Sequence, residues 1–313
     1  MPTISVVIPL YNKAPYISRA LSSVLLQSFE DYEVIVVDDG STDDGKSIAE
    51  GFSDPRIRVL HQQNGGVSAA RNLGIQSSRC DLIAFLDADD EWGPDFLETI
   101  LSLKKTYPQA GAYGTAFEMR FPDGSIVHPE FNEIYYGWEG ILPSYFRASF
   151  GVNVLHSSAV AVPAKVFLKI GLFPEGEKLG EDLDMWLRIA ASYPIAYKNI
   201  ACEIYNLDAC NRTDVLPISV DDLCYLKTAR EIIHSRKIST EMAADIADYI
   251  TARKIAYAKD QIKQNQPLEG RRILKGLKTD RFAAKRRLWL FASYIPYKIF
   301  GLFRYITRRL RLI

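Results

Sequence analysis

The chain has 313 residues, 48% hydrophobic and 24% charged, a balance that excludes disorder and allows one large α/β domain with further helices beside it. Formal net charge is zero, yet from Arg281 onward there are nine Lys or Arg and no Asp or Glu, which leaves about −9 on the rest and implies two parts that face different partners. The four cysteines form no CxxC pair, and Met1-Pro2-Thr3 runs straight into a strand without a basic, apolar leader, so a reduced cytoplasmic protein is the expectation.

In chain order, the β-branched run from Ile4 to Leu10 predicts a strand, and Asn12 is placed to cap a helix with Ile17, Ala20, Leu21, Val24 and Leu25 on one face. Glu33 to Val37 is a second strand, closing on the turn-rich Asp38-Asp39-Gly40-Ser41-Thr42-Asp43. A third, Ile57 to Leu60, precedes Asn64-Gly65-Gly66 and a helix of small residues suited to close packing on a sheet. Leu82 to Leu86 reads as a strand buried on both faces, ending in Asp87-Ala88-Asp89-Asp90. Ligands of open α/β sheets sit at such carboxyl ends. Asp87 and Asp89, two apart on an extended chain, face one side, and carboxylates this close repel unless a cation or hydrogen-bond donors neutralise them. A divalent ion carrying a diphosphate supplies the charge and the geometry; an acidic turn before the helix at Asp95 to Tyr107 is the plain alternative. Later, Val160 to Val162 predicts a strand, Lys165 to Ile170 a short helix, and Gly180-Glu181-Asp182 a helix start whose acids complement its dipole.

Four of these stretches together resemble the family 2 inverting glycosyltransferases of the GT-A fold. They are Val6 to Asn12, Val37 to Asp43, the Asn-x-Gly-x-x-x-Ala-Arg-Asn pattern ending at Asn72, and the strand closing on Asp87-Ala88-Asp89-Asp90. The resemblance implies a GT-A nucleotide-binding domain with a mixed, mostly parallel central sheet, and a reaction that moves one sugar from a nucleotide diphosphate sugar, a UDP-sugar first of all, to a saccharide acceptor. By the same resemblance Asp39 would accept the ring N–H of uracil, with Pro9 and Tyr11 flanking the base. Arg71 would meet the diphosphate, Asp87 the ribose or the metal shell, and Asp89 would ligate Mg²⁺ or Mn²⁺. Gly180 to Arg188 is similar to the family's second acidic motif, which makes Asp182 the general base. Glu181, Trp186, His156 and Arg212 are further candidates for acceptor or diphosphate contacts, Trp186 as core or as an apolar platform for a sugar ring.

Processive members of that family carry a Gln-x-x-Arg-Trp motif and several transmembrane helices, and neither occurs here. A nucleotidyltransferase, or a catalytically silent nucleotide-sugar-binding subunit, is the alternative. The resemblance thins out near residue 212. The expected division is 1–215 for the glycosyltransferase domain, 216–282 for a helical appendage and 283–313 for a basic tail. Leu288 to Phe303 holds a single charge, Lys298, between basic flanks. That pattern predicts an interfacial helix on an anionic membrane, with a helix packed on the body or on a second subunit as the alternative; a lipid-linked acceptor at the inner face and no nucleic acid are expected.

Overall fold

The computed structural model describes residues 2–209 and 219–295. Its first half runs β1 (Ile4–Leu10), α1 (Ala14–Leu25), β2 (Tyr32–Asp38), α2 (Gly45–Glu50), β3 (Ile57–His61), α3 (Val67–Ser77), β4 (Leu82–Phe85), β5 (Glu91–Trp92), α4 (Phe96–Thr106) and β6 (Ala112–Arg120). Then follow β7 (Ile126–Val127), β8 (Glu139–Ile141), α5 (Tyr145–Ala148), β9 (Val160–Pro163), α6 (Ala164–Ile170), α7 (Glu181–Ser192) and β10 (Ile195–Asn206), and after the gap α8 (Cys224–Ser235), α9 (Thr240–Lys263), α10 (Pro267–Gly276) and α11 (Ala283–Ala292).

One sheet organises these elements in the order β3-β2-β1-β4-β9-β6-β10-β5, with β7 on β6 and β8 on β10. β3, β2, β1 and β4 are mutually parallel, β9 is antiparallel to both its neighbours, and β6 and β10 are parallel. The sheet is therefore mixed, as expected. Every residue of β1, β2 and β4 is buried, because helices cover both faces. Gly74 lets α3 lie close on the sheet: a Cβ there would stand 2.3 Å from a Val7 methyl.

Asn12 does not cap α1. It takes a left-handed backbone at φ 51 and its Oδ1 accepts from the Thr42 amide at 2.8 Å. The first-turn amide of Ala14 is satisfied instead by Asp43 Oδ2 at 2.8 Å, so the loops after β1 and β2 brace each other.

Helices α8 to α11 share one hydrophobic cluster with the sheet: Leu226, Ile246 and Tyr249 pack with Tyr145, Phe146 and Trp186. The stretch expected to start a membrane tail at 283 differs from that expectation. α11 buries Trp289 and Ala292 in the same cluster, against α9 and α10, where removing the indole from water is favourable. Residues 296–313, with most of the tail, lie outside the described residues, as does Arg212. No helix among the described residues is long and apolar enough to cross a membrane.

Candidate active site

The chain order reverses between β1 and β4, which sit side by side with β2 and β3 on one flank and β9 on the other. A cleft of about 660 Å³ opens there, at the strands' carboxyl ends. Pro9 and Tyr11 from β1 and its loop, Asp39 after β2, the turn at Asn64 to Gly66, Arg71 on α3 and Asp87 to Asp90 after β4 line it, as do Lys178 and Glu181 before and at the start of α7. Tyr11 is 45% exposed, free to stack on a planar ring.

Asp39 is buried and already busy. Its Oδ1 accepts from Gln62 Nε2 at 2.6 Å and the Gly65 amide at 2.9 Å, and its Oδ2 from the Gly66 amide at 2.8 Å. It thus folds the glycine turn that forms one wall, and a base N–H would use what is left of its roughly four lone-pair sites.

Arg71, expected to face a diphosphate, is enclosed at 3% exposure. One terminal nitrogen donates to Asp87 Oδ1 at 2.8 Å and the other to Glu181 Oε1 at 2.9 Å, with the Phe173 ring 5.4 Å away. Its guanidinium fork ties the donor side to the first turn of α7 rather than standing open to a ligand. Burial pushes the Asp87 carboxyl up, but Arg71 outweighs that and holds it below the usual range. At Glu181 burial and the neighbouring Asp182 prevail over Arg71 and raise the pKa.

Asp89 Oδ2 lies 2.6 Å from Lys13 Nζ. The remaining oxygens of Asp87 and Asp89 accept no hydrogen bond among the described residues, so two hard donors at the cleft fit a Mg²⁺ or Mn²⁺ ion, which takes one or two carboxylates and completes its shell with water and phosphate. Asp90 is buried and already engaged: it is 1% exposed and accepts from Ser158 Oγ at 2.7 Å and the Asn206 amide at 3.0 Å. With His156 and Glu203 it forms a group whose ligand atoms lie within 4.8 Å of one another, close enough to hold an ion. Burial works against charge on His156, but Glu203, Asp90 and Asp87 prevail and raise it to about 9, and its Nδ1 is 2.8 Å from Glu203 Oε1. Burial in turn pushes Asp90 and Glu203 up. His156 is thereby held against Glu203 under the acidic loop.

On α7, Asp182 is half-buried beside the cleft, accepting from Ser157 Oγ at 3.3 Å. Among the described residues it forms no ion pair, whereas Glu181 is held by Arg71 and Asp184 by Arg188 at 2.7 Å. α8 fixes this helix start: Thr228 Oγ1 donates to Asp184 Oδ1 at 2.5 Å, Cys224 Sγ reaches the Gly180 carbonyl at 3.3 Å, and the Tyr225 ring covers Gly180, where φ is +84 and a Cβ would stand 2.6 Å from the ring. Trp186 corrects the sugar-platform expectation. At 0% exposure, it packs on Phe85 and Phe173 with ring centroids 6.4 and 5.8 Å away; on α7 it lies one turn past Asp182 and on the core face. Lys13, Tyr205 and Lys178 also line the cleft and went unnoticed in the sequence. Only Lys13 carried a signal, a cation at a helix start where the dipole disfavours it.

The sequence model described as Glycosyl transferase family 2 matches residues 5–156. An uncharacterized glycosyltransferase of Rickettsia felis is 32% identical over 197 residues, 61% of this chain and 31% of that protein. Glycosyltransferase GlyA of Streptococcus pneumoniae is 31% identical over 185 residues, 57% of this chain and 27% of its own length. The matches thus span about a third or less of both relatives. Among solved structures, S. aureus TarS 1-349 in complex with UDP-GlcNAc superposes with TM-score 0.68 at 19% identity, covering 97% of this chain and 86% of that one; at that identity it attests the fold.

Proposed function

From the premise that the chain carries a glycosyl transferase family 2 domain over residues 5–156, we propose that it transfers one sugar from a UDP-sugar to a saccharide hydroxyl with inversion. The observation that carries the reading is the pairing pattern at the cleft. Asp87 and Asp89 present oxygens where a metal-bound diphosphate would lie, and Asp182 is the carboxylate on the first turn of α7 that forms no ion pair among the described residues. The UDP-GlcNAc bound by TarS supports a UDP-sugar donor.

In this mechanism Pro9, Tyr11 and Asp39 seat the uridine. A divalent ion on Asp89 would supply charge that stabilises the departing diphosphate. Asp182 takes the proton of the acceptor hydroxyl as its oxygen attacks the anomeric carbon opposite the diphosphate. The carbon–oxygen bond to the β-phosphate breaks and UDP leaves with that electron pair. Arg71 keeps Asp87 and Glu181 in register, so the donor wall and the helix bearing the base move as one body. The acceptor is proposed to be lipid-linked, and the basic segment after residue 295, with Lys298, Arg304, Arg308, Arg309 and Arg311 and no acid, is proposed to hold the protein on an anionic membrane face.

The test begins with UDP-sugars, screened for Mn²⁺-dependent UDP release and thermal stabilisation. With the donor so found, Asp182→Asn should bind UDP as wild type does and lose turnover by about 10² to 10⁴, as when a general base is removed. Near-normal turnover moves the base elsewhere, with Glu181 the next carboxylate. Asp89→Ala should abolish the metal-dependent part of UDP affinity in calorimetry. A protein that binds donor but turns nothing over with any acceptor is a silent binding subunit.

A further inference from the structure

We propose that Lys13 is the resident counter-ion of Asp89: in the unliganded protein its ammonium holds the cation subsite, and when a nucleoside diphosphate brings a divalent ion it leaves the carboxylate and turns to the phosphates. This rests on the reading of Asp89 as the metal ligand.

Capping does not explain a lysine at this position, although its Nζ also stands 5.7 Å from the centroid of the Tyr16 ring one turn on. Lys13 is the residue that precedes the first turn of α1, its side chain makes no capping bond, and the turn holds no acid. Ser, Thr, Asp or Asn is favoured there, and a cation opposes the helix dipole. The explanation is tertiary. Its Nζ lies 2.6 Å from Asp89 Oδ2 across 76 residues of sequence, with the two side chains 15% and 18% exposed and both on the cleft wall.

The neighbouring pair shows what an immovable partner looks like. Arg71 is enclosed and forked between two carboxylates, so Asp87 cannot shed it without orphaning Glu181. Lys13 has one carboxylate partner among the described residues and lies at the cleft, on a flexible four-carbon stem with three rotatable donors. A divalent ion sits at roughly 2.0–2.1 Å from a carboxylate oxygen. An ammonium at 2.6 Å from Oδ2 would then face a double positive charge across the same carboxylate, so an ion on the free Oδ1 loosens the ammonium's hold on Oδ2. Phosphate oxygens arriving with the ion offer the displaced ammonium a new anion within its reach. The exchange offsets the Asp89 charge before the donor arrives and makes metal and nucleotide bind together.

The inference gives opposite signs for two affinities measured on the full chain. Mn²⁺ alone, titrated by calorimetry or electron paramagnetic resonance, should bind Lys13→Met more tightly than wild type by on the order of fivefold, the upper range for a pair this exposed. UDP titrated at saturating Mn²⁺ should bind Lys13→Met more weakly, because the phosphates lose a donor. Lys178→Met removes an equal charge from the cleft lining, at a residue that does not pair with Asp89, and should change Mn²⁺ affinity far less. Equal tightening in both variants, or none in Lys13→Met, overturns the inference while leaving the metal assignment intact. If wild type binds no Mn²⁺ with or without UDP, the metal reading itself fails and the exchange with it.

Discussion

Replacing Arg71 by methionine isolates the ion-pair fork that joins the two sides of the cleft. Methionine keeps the aliphatic stem and its packing near Phe173 but leaves two carboxylates without their cation. Breaking a buried pair by removing one partner costs about 3–5 kcal/mol. The lower half of that range is expected, because Asp87 is 28% exposed and can rehydrate while Glu181, at 12%, cannot do so fully. For 313 residues, an unfolding entropy of about 0.66 kcal/mol/K turns the whole range into a loss of roughly 5–8 °C in Tm. The pH dependence identifies the cause. Arg71 holds Asp87 below its usual range, so in wild type that contribution is present above the unfolded carboxyl value and is lost as pH falls through the folded one. Without Arg71 burial raises both carboxyls, and a raised carboxyl stabilises when protonated. The deficit of Arg71→Met should therefore be largest near pH 7 to 8 and shrink toward about pH 4 to 5. Scanning calorimetry of both proteins across that range is the assay, with Arg71→Lys, a point charge that cannot fork, falling between them. A deficit independent of pH, or under about 1 kcal/mol, would refute the electrostatic account.

Three further outcomes follow from the same geometry. His156, raised to about 9 from an ordinary 6.5, contributes stability that is fully present below 6.5 and lost as pH rises through about 9, so Tm should fall over that window in wild type and not in His156→Gln; an imidazole resonance titrating near 6.5 would contradict this. Thr228→Val keeps the shape but leaves the Asp184 oxygen without its 2.5 Å donor, at a cost of about 1–3 kcal/mol; an unchanged melting curve would mean that α8 does not brace α7. A chain ending at Ile295, which keeps α11 and its buried Trp289, should pellet with anionic vesicles less than the full chain at about 0.1 M salt, with the difference narrowing near 1 M. Equal partitioning at both would remove the membrane role of the tail.

What the sequence determined by itself was local or periodic. Unbroken apolar runs such as Leu82 to Leu86 set the buried strands, a small residue at Gly74 set the close helix, and acids or glycines at strand ends marked the cleft, because burial on two faces and tight turns each demand particular residues nearby in the chain. The sequence also put Asp39, Asp87 and Asp89 at that cleft. Only the tertiary structure decided which charge each carboxylate meets. Lys13 and Asp89 are 76 residues apart, Arg71 and Glu181 are 110 apart, and no periodicity encodes a distance between loops brought together at the end of a sheet. The same holds for Trp186 and Trp289. Each lies in a helix beside charged residues, and which face turns inward depends on the groove a neighbouring element offers. Thus the composition of the site could be read along the chain, while its electrostatic wiring exists only once β1, β4, α3, α7 and α8 are packed around one core.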